Sequence, residues 1–134
     1  MRRMGAAIAM TLLATPALAA GVLPLGGPFG NVDGCHLFAT GQFVSDDVFL
    51  LTPDTFQSYG TGCDFETLVS SADSVFTVHA TCSSKGEAGL DGELVRIIDH
   101  GVDGYGIQFD GIEEWGPYKA CPPIGPGESS VVQL

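Results

Sequence analysis

Apolar and polar residues alternate through the second half of the chain, and a period of two is typical of β-strands. In Val75–Cys82, Phe76 and Val78 fall on one face while Thr77 and His79 fall on the other. Asp-Gly pairs interrupt the alternation, and their glycines tolerate the positive φ that tight hairpins need. The pattern predicts strands at Phe65–Val69, Val75–Cys82, Leu94–Ile98, Tyr105–Phe109 and Ile112–Tyr118, the last bent at Gly116-Pro117, and turns at Asp91-Gly92, Asp103-Gly104 and Asp110-Gly111.

The first half of the chain mixes other patterns. Residues 20–33 are rich in Gly and Pro and predict an irregular lead-in, followed by a short first element at Cys35–Ala39. Val48–Leu51 is a short apolar run, which is typical of a strand buried on both faces. In 52–60, a Thr cap, the Pro after it and a closing Gly predict a helix of one or two turns, with a strand through Phe56 and Tyr59 as the alternative.

Short strands joined by tight turns, without long helices between them, predict an all-β fold. We expect a small antiparallel meander that forms a barrel or sandwich, with at most one short helix. The β domain should span 34–122. The Pro- and Gly-rich residues after Cys121 cannot continue a sheet, so 123–134 should be a flexible tail.

The amino end has the three-part layout of a secretory signal peptide. Arg2 and Arg3 precede an apolar stretch of about ten residues, which is half of the roughly 20 that a membrane-spanning helix needs. Ala17 and Ala19 fit the small residues of a cleavage site. We therefore predict a signal peptide at 1–19, no membrane span after its removal, and a periplasmic or secreted protein.

The charge excludes several classes of partner. The 134 residues include 16 Asp and Glu but 5 Lys and Arg, for a net charge of −11. Cleavage would leave three basic residues, Lys85, Arg96 and Lys119, against the 16 acidic ones, or −13. Such a chain lacks the basic surface that nucleic acids require, and anionic membranes would repel it. A hydrophobic content of 45% is too high for a disordered acidic tail.

The four cysteines, Cys35, Cys63, Cys82 and Cys121, are typical of two disulfides in a small exported domain. Three pairings are open to four cysteines. Cys63 and Cys82 are equidistant from a turn centred between Ala72 and Asp73, and a hairpin there would place them opposite each other. This favours Cys63–Cys82, with Cys35–Cys121 joining the two ends of the domain.

Several residue groups could in principle carry chemistry, and each has a simpler interpretation. Asp99–Asp110 resembles a calcium loop in outline, but Gly101 offers no side-chain oxygen at the third position. His36, His79 and His100 have no local metal-binding spacing. The doublets Asp46-Asp47 and Glu113-Glu114 point to opposite faces of a strand, so neither forms a catalytic pair alone. We predict no catalytic residue, no metal ligand and no cofactor.

Trp115 and Tyr118 form the densest aromatic site near a turn. Exposed, they would be a binding surface, because aromatic side chains are common interface anchors. Buried, Trp115 would belong to the core, which the average burial of tryptophan favours.

Five short segments are notable together: Gly34-Cys35, Leu50-Leu51-Thr52-Pro53, Gly62-Cys63-Asp64-Phe65, Ala80-Thr81-Cys82-Ser83 and Gly116-Pro117-Tyr118-Lys119-Ala120-Cys121-Pro122. In their arrangement the chain resembles small four-cysteine periplasmic proteins of Gram-negative bacteria. The resemblance implies a periplasmic location and a β-rich fold, without an activity. The architecture is also similar in outline to periplasmic lysozyme-inhibitor barrels, but their binding-loop motif is not matched, and no residue is carried over.

These observations favour a non-catalytic exported domain that binds another molecule. One version is an acidic inhibitor of a basic hydrolase such as lysozyme, because the negative charge would steer association with a basic protein. The alternative is a metal protein or enzyme that uses histidine, aspartate and glutamate side chains.

Overall fold

The fold is a meander of eight antiparallel strands with one helix near its start. The computed structural model describes residues 21–84 and 90–123, and for 90–92 it describes the backbone alone. The predicted signal peptide and nearly all of the predicted tail lie outside these residues. The elements are β1 (Phe29–Gly30), α1 (Val32–Thr40), β2 (Phe49–Leu51), β3 (Thr55–Ser58), β4 (Thr61–Ala72), β5 (Val75–Ser84), β6 (Leu90–Asp99), a 3-10 turn (Gly101–Asp103), β7 (Tyr105–Phe109) and β8 (Trp115–Tyr118).

The eight strands form one sheet in which each strand pairs with its neighbours in sequence. The sheet curls back on itself, because β1 also meets the chain that follows β8. Phe29 pairs with Ala120 in an antiparallel bridge. The amide of Gly30 donates to the carbonyl of Lys119 at 3.1 Å, and that of Cys121 donates to Pro28 at 2.9 Å. The predicted all-β meander is confirmed, in the form of a nearly closed barrel.

The barrel interior is filled by apolar side chains from every long strand. Phe56, Val78, Ile97 and Ile107 are almost inaccessible to solvent. Leu23 and Leu25 from the lead-in are also buried in this core, so the lead-in contributes side chains to the core of the domain. The backbone of Leu23 donates to the carbonyl of Pro53 at 2.9 Å and holds it there.

The long hairpin of β4 and β5 confirms the expected pairing of Cys63 with Cys82, but the turn is one residue later than predicted. Asp73 and Ser74 form it, with φ of 53° and 64°, as a two-residue hairpin turn requires. Two register shifts along β4, between Phe65 and Thr67 and between Leu68 and Ser70, realign the strands before they reach the cysteines. The disulfide joins the two strands where the Cα atoms of Cys63 and Cys82 lie 4.1 Å apart.

A second layer covers the outer face of β2, and we call it the helix seam. It consists of α1, the loop of residues 41–48 and the disulfide Cys35–Cys121, whose Cα atoms lie 5.4 Å apart. Leu50 faces outwards from β2 and packs with Leu37 and Val48, while Phe49 and Leu51 belong to the barrel core. The prediction that Val48–Leu51 is buried on both faces is therefore confirmed.

The helix predicted over Thr52–Gly60 is wrong; the alternative strand is correct through Phe56 but ends at Ser58, so Tyr59 lies in the turn that follows. The Thr52 hydroxyl does accept from the amides of Asp54 and Thr55, at 3.2 and 2.9 Å, as a helix cap would. The chain then extends into β3 because Phe56 is buried in the core and pairs with Cys63. The capping chemistry serves a turn between two strands.

Other element bounds also differ from the prediction. The lead-in contains β1, and α1 begins at Val32, so regular structure starts before residue 34. The pair Asp91-Gly92 lies inside β6 instead of at a turn. Asp110-Gly111 does form a turn, with φ of 73° at the glycine, and β8 starts after it at Trp115.

Candidate functional site

The three histidines lie on separate elements. His36 is on α1, His79 is on β5, and His100 follows β6. Within residues 21–84 and 90–123, no group of three or more His, Cys, Asp or Glu side chains is placed to hold a metal ion.

His100 contacts a carboxylate across the surface of β7. Its Nε2 lies 2.5 Å from Oε1 of Glu114, and both side chains are partly exposed. The Glu114 side chain lies over Gly106, where a Cβ would collide with the carboxylate. Gly106 therefore provides the space that lets the β6–β7 and β7–β8 connections meet.

The segment Asp99–Asp110, which resembles a calcium loop in the sequence, forms a hairpin. Asp99 pairs with Tyr105 across β6 and β7, and its Oδ1 accepts from the amide of Gly101 at 2.7 Å. Ile107 and Phe109 point into the barrel. Burial raises the pKa of the Tyr105 phenol, and the nearby Asp99 carboxylate raises it further.

Trp115 and Tyr118 are both half-buried against the barrel core. The Trp115 ring lies 5.3 Å from Phe109 and 5.9 Å from Phe56, and the Tyr118 ring lies 4.5 Å from Phe49, between centroids. Trp115 also borders a cavity of about 130 Å³ whose lining includes Cys82 and Phe109. Both rings thus pack at the edge of the core, and only part of each side chain is exposed to solvent.

A different aromatic group is exposed, and sequence reasoning missed it. Phe43, in the loop after α1, and Tyr59, in the β3–β4 turn, meet edge to face with centroids 6.5 Å apart. Their exposed fractions are 45% and 63%, and the neighbouring Val44 is 54% exposed. We call Phe43, Val44 and Tyr59 the aromatic patch. Tyr59 is at least 15 residues away from the other two in sequence, so only the fold shows that it is their neighbour.

The carboxylates of the described surface are largely uncompensated. None is buried. Arg96 and Lys119 are the basic residues in the described ranges, and neither forms a salt bridge there. The negative charge therefore faces solvent. In those same ranges, no helix is long and apolar enough to cross a membrane.

Comparison of the chain with protein-family models, curated proteins and solved structures gives no match. The function must therefore be inferred from the surface and the charge.

Proposed function

We propose that this chain is a non-catalytic, exported domain that binds a basic protein partner. The observation that carries the proposal is the uncompensated negative charge, −11 for the whole chain, on a disulfide-bonded barrel whose described carboxylates all reach solvent. A charge of this size steers association with a cationic protein and raises the association rate.

The two disulfides support an oxidising compartment, because such bonds persist outside the cytosol. The predicted signal peptide and the resemblance to periplasmic four-cysteine proteins point to the same location. A basic hydrolase of the cell wall, of which lysozyme is an example, is the specific partner class that we propose.

The test uses purified mature protein and purified lysozyme. We expect binding and slower lysozyme turnover at low salt, with an affinity that falls as salt screens the charges. Succinylated lysozyme, whose lysines carry added carboxylates, is the matched control and should not bind. Equal affinity for native and succinylated lysozyme, or no binding to the native enzyme at low salt, would contradict the proposal.

A further inference from the structure

The geometry points to the aromatic patch as the place where the basic partner docks. This inference rests on the proposed function and adds the contact surface and the chemistry of the partner's matching site. That site is an apolar pocket bordered by lysine or arginine side chains.

The first argument is the cost of exposing these rings. Phe43, Val44 and Tyr59 give up burial in a domain whose core is small, while aromatic residues are common interface anchors. A single exposed apolar residue needs no explanation, but a contiguous group indicates an interaction site. The two aromatic rings already contact each other, so they present one continuous apolar surface.

The second argument is that hydrogen bonds hold the loop in place directly after Phe43 and Val44. The Ser45 hydroxyl donates to Asp33 at 2.5 Å and accepts from the amide of Asp47 at 3.0 Å. The Asn31 side chain donates to the carbonyl of Asp47 at 2.8 Å. Binding would therefore order little additional chain, and a preorganised surface loses less entropy on association.

The Tyr59 side of the patch is fixed as well. The Ser58 hydroxyl accepts from the amide of Thr61 at 3.2 Å and donates to its carbonyl at 3.3 Å, which closes the turn around Tyr59. Phe43 and Tyr59 thus both lie in connections that are held by hydrogen bonds.

The third argument identifies the partner by charge. Asp46 and Asp47 follow Phe43 and Val44 in the same loop, after Ser45, and are exposed. Neither carboxylate contacts a basic side chain within the described residues. An apolar centre with an acidic rim complements a cationic rim on the partner. A second copy of this chain would bring two such acidic rims together, which disfavours self-association.

The experiment compares two double variants with a matched control, with lysozyme as the probe. Phe43→Ser with Tyr59→Ser removes both rings of the apolar centre, and Asp46→Asn with Asp47→Asn removes the acidic rim. Val102→Ser is the control, because Val102 is 91% exposed on the 3-10 turn and belongs to neither group. Circular dichroism and thermal unfolding verify that each variant is folded.

We expect the aromatic variant to weaken binding by roughly tenfold or more at every salt concentration, as loss of interface anchors does. The aspartate variant should bind more weakly at low salt and show a shallower salt dependence. Val102→Ser should bind within about twofold of the wild type, like other surface changes outside an interface.

Two outcomes would overturn the docking site. If the aromatic variant binds lysozyme like the wild type, while salt still weakens both, the basic-partner proposal survives and the patch is not its contact surface. If the wild type is a dimer by light scattering and the aromatic variant is a monomer, the patch is a self-association surface. If the wild type does not bind native lysozyme at all, the proposed function itself is wrong.

Discussion

The barrel wall and the helix seam are held together in different ways. The wall, formed by β3 to β8, surrounds a core of fourteen buried residues and also carries the disulfide Cys63–Cys82. The seam has a cluster of three buried apolar residues, Leu37, Val48 and Leu50, and depends on a disulfide and the Asn31 side chain. Burial of the large core therefore dominates in the wall, whereas the seam, with its small core, depends more on specific pairings. Specific pairings fix a loop in one conformation, which is what a docking surface requires.

Removing the seam disulfide should have the largest effect. Cys35 and Cys121 are separated by 86 residues, and cross-linking a loop of that size contributes about 4.5 kcal/mol by restricting the unfolded chain. We expect Cys35→Ala with Cys121→Ala to lower the unfolding free energy by about that amount, measured by urea titration.

Two comparisons bring out the seam's dependence on this bond. Cys63→Ala with Cys82→Ala opens a loop with a separation of only 19 residues, whose entropic contribution is about 3 kcal/mol. His36→Ala, at an exposed helix position, should change the free energy by less than about 0.5 kcal/mol. A loss below about 1 kcal/mol for the Cys35 and Cys121 variant would show that the seam is stable without its bond.

Gly34→Ala should cost the next largest amount. A Cβ at Gly34 would collide with the carbonyl oxygen of Phe49, because α1 lies directly on the backbone of β2. Overpacking of this kind costs about 1–3 kcal/mol, although alanine normally stabilises a helix relative to glycine. Thermal unfolding gives the measurement.

Gly62→Ala is the matched change in the wall. A Cβ there meets nothing within 4 Å, so the variant should retain wild-type stability. Equal stability of the Gly34 and Gly62 variants would mean that the helix can move away from the sheet at little cost.

Asn31→Ala should cost about 1–2 kcal/mol, as loss of a helix cap does. The Asn31 Oδ1 accepts from the amides of Gly34 and Phe49, at 2.7 and 3.1 Å, so it links the start of α1 to the start of β2. Asn31→Asp retains an acceptor but not the donor to Asp47. In urea titration, Asn31→Asp should recover most of the stability that Asn31→Ala loses. If it is no more stable than Asn31→Ala, the main contribution comes from the side-chain amide that donates to the Asp47 carbonyl.

The smallest effect concerns the wall at high pH. The pKa of Tyr105 is raised in the folded protein, so the native state holds this proton more tightly than the unfolded state does. Its contribution to stability is therefore complete below the unfolded pKa of about 10 and is lost as pH rises through the folded pKa. Tyr105→Phe should flatten the loss of stability above pH of about 10 in urea titrations at successive pH values. If the unfolding free energy of Tyr105→Phe falls with pH as steeply as that of the wild type in this range, Tyr105 is not the cause of the loss.

The long strands of the wall were predictable from the sequence, whereas the extent and helical conformation of α1 in the seam were not. Alternation in Val75–Cys82 and Tyr105–Phe109 directly reflects one buried and one exposed face, so β5 and β7 follow from the pattern. The start of α1 depends on Asn31, which lies in a Gly- and Pro-rich stretch that resembles a loop. At Thr52 the local signal was present but misleading. Its hydroxyl does make the hydrogen bonds of a helix cap, yet burial of Phe56 keeps the following residues extended as β3.

The candidate site was hidden for a similar reason. Trp115 and Tyr118 attract attention because they are close in sequence, yet their rings pack against the core. Phe43 and Tyr59 stand in separate connections, each beside polar residues that suggest an ordinary loop. The two residues are close because of the way α1 and the loop after it pack on β2, and no local sequence pattern predicts that packing.

The nested order of the cysteines has a consequence for biogenesis. A chain that emerges amino end first exposes Cys35, then Cys63 and Cys82, and completes the domain only with Cys121. Joining cysteines in order of appearance would link Cys35 to Cys63, which is not a native pair. Cys35 must therefore stay reduced or exchange partners by thiol–disulfide exchange until the last strand arrives. If Cys35 does pair early, the non-native bond has to be rearranged, which is the reaction that a disulfide isomerase catalyses.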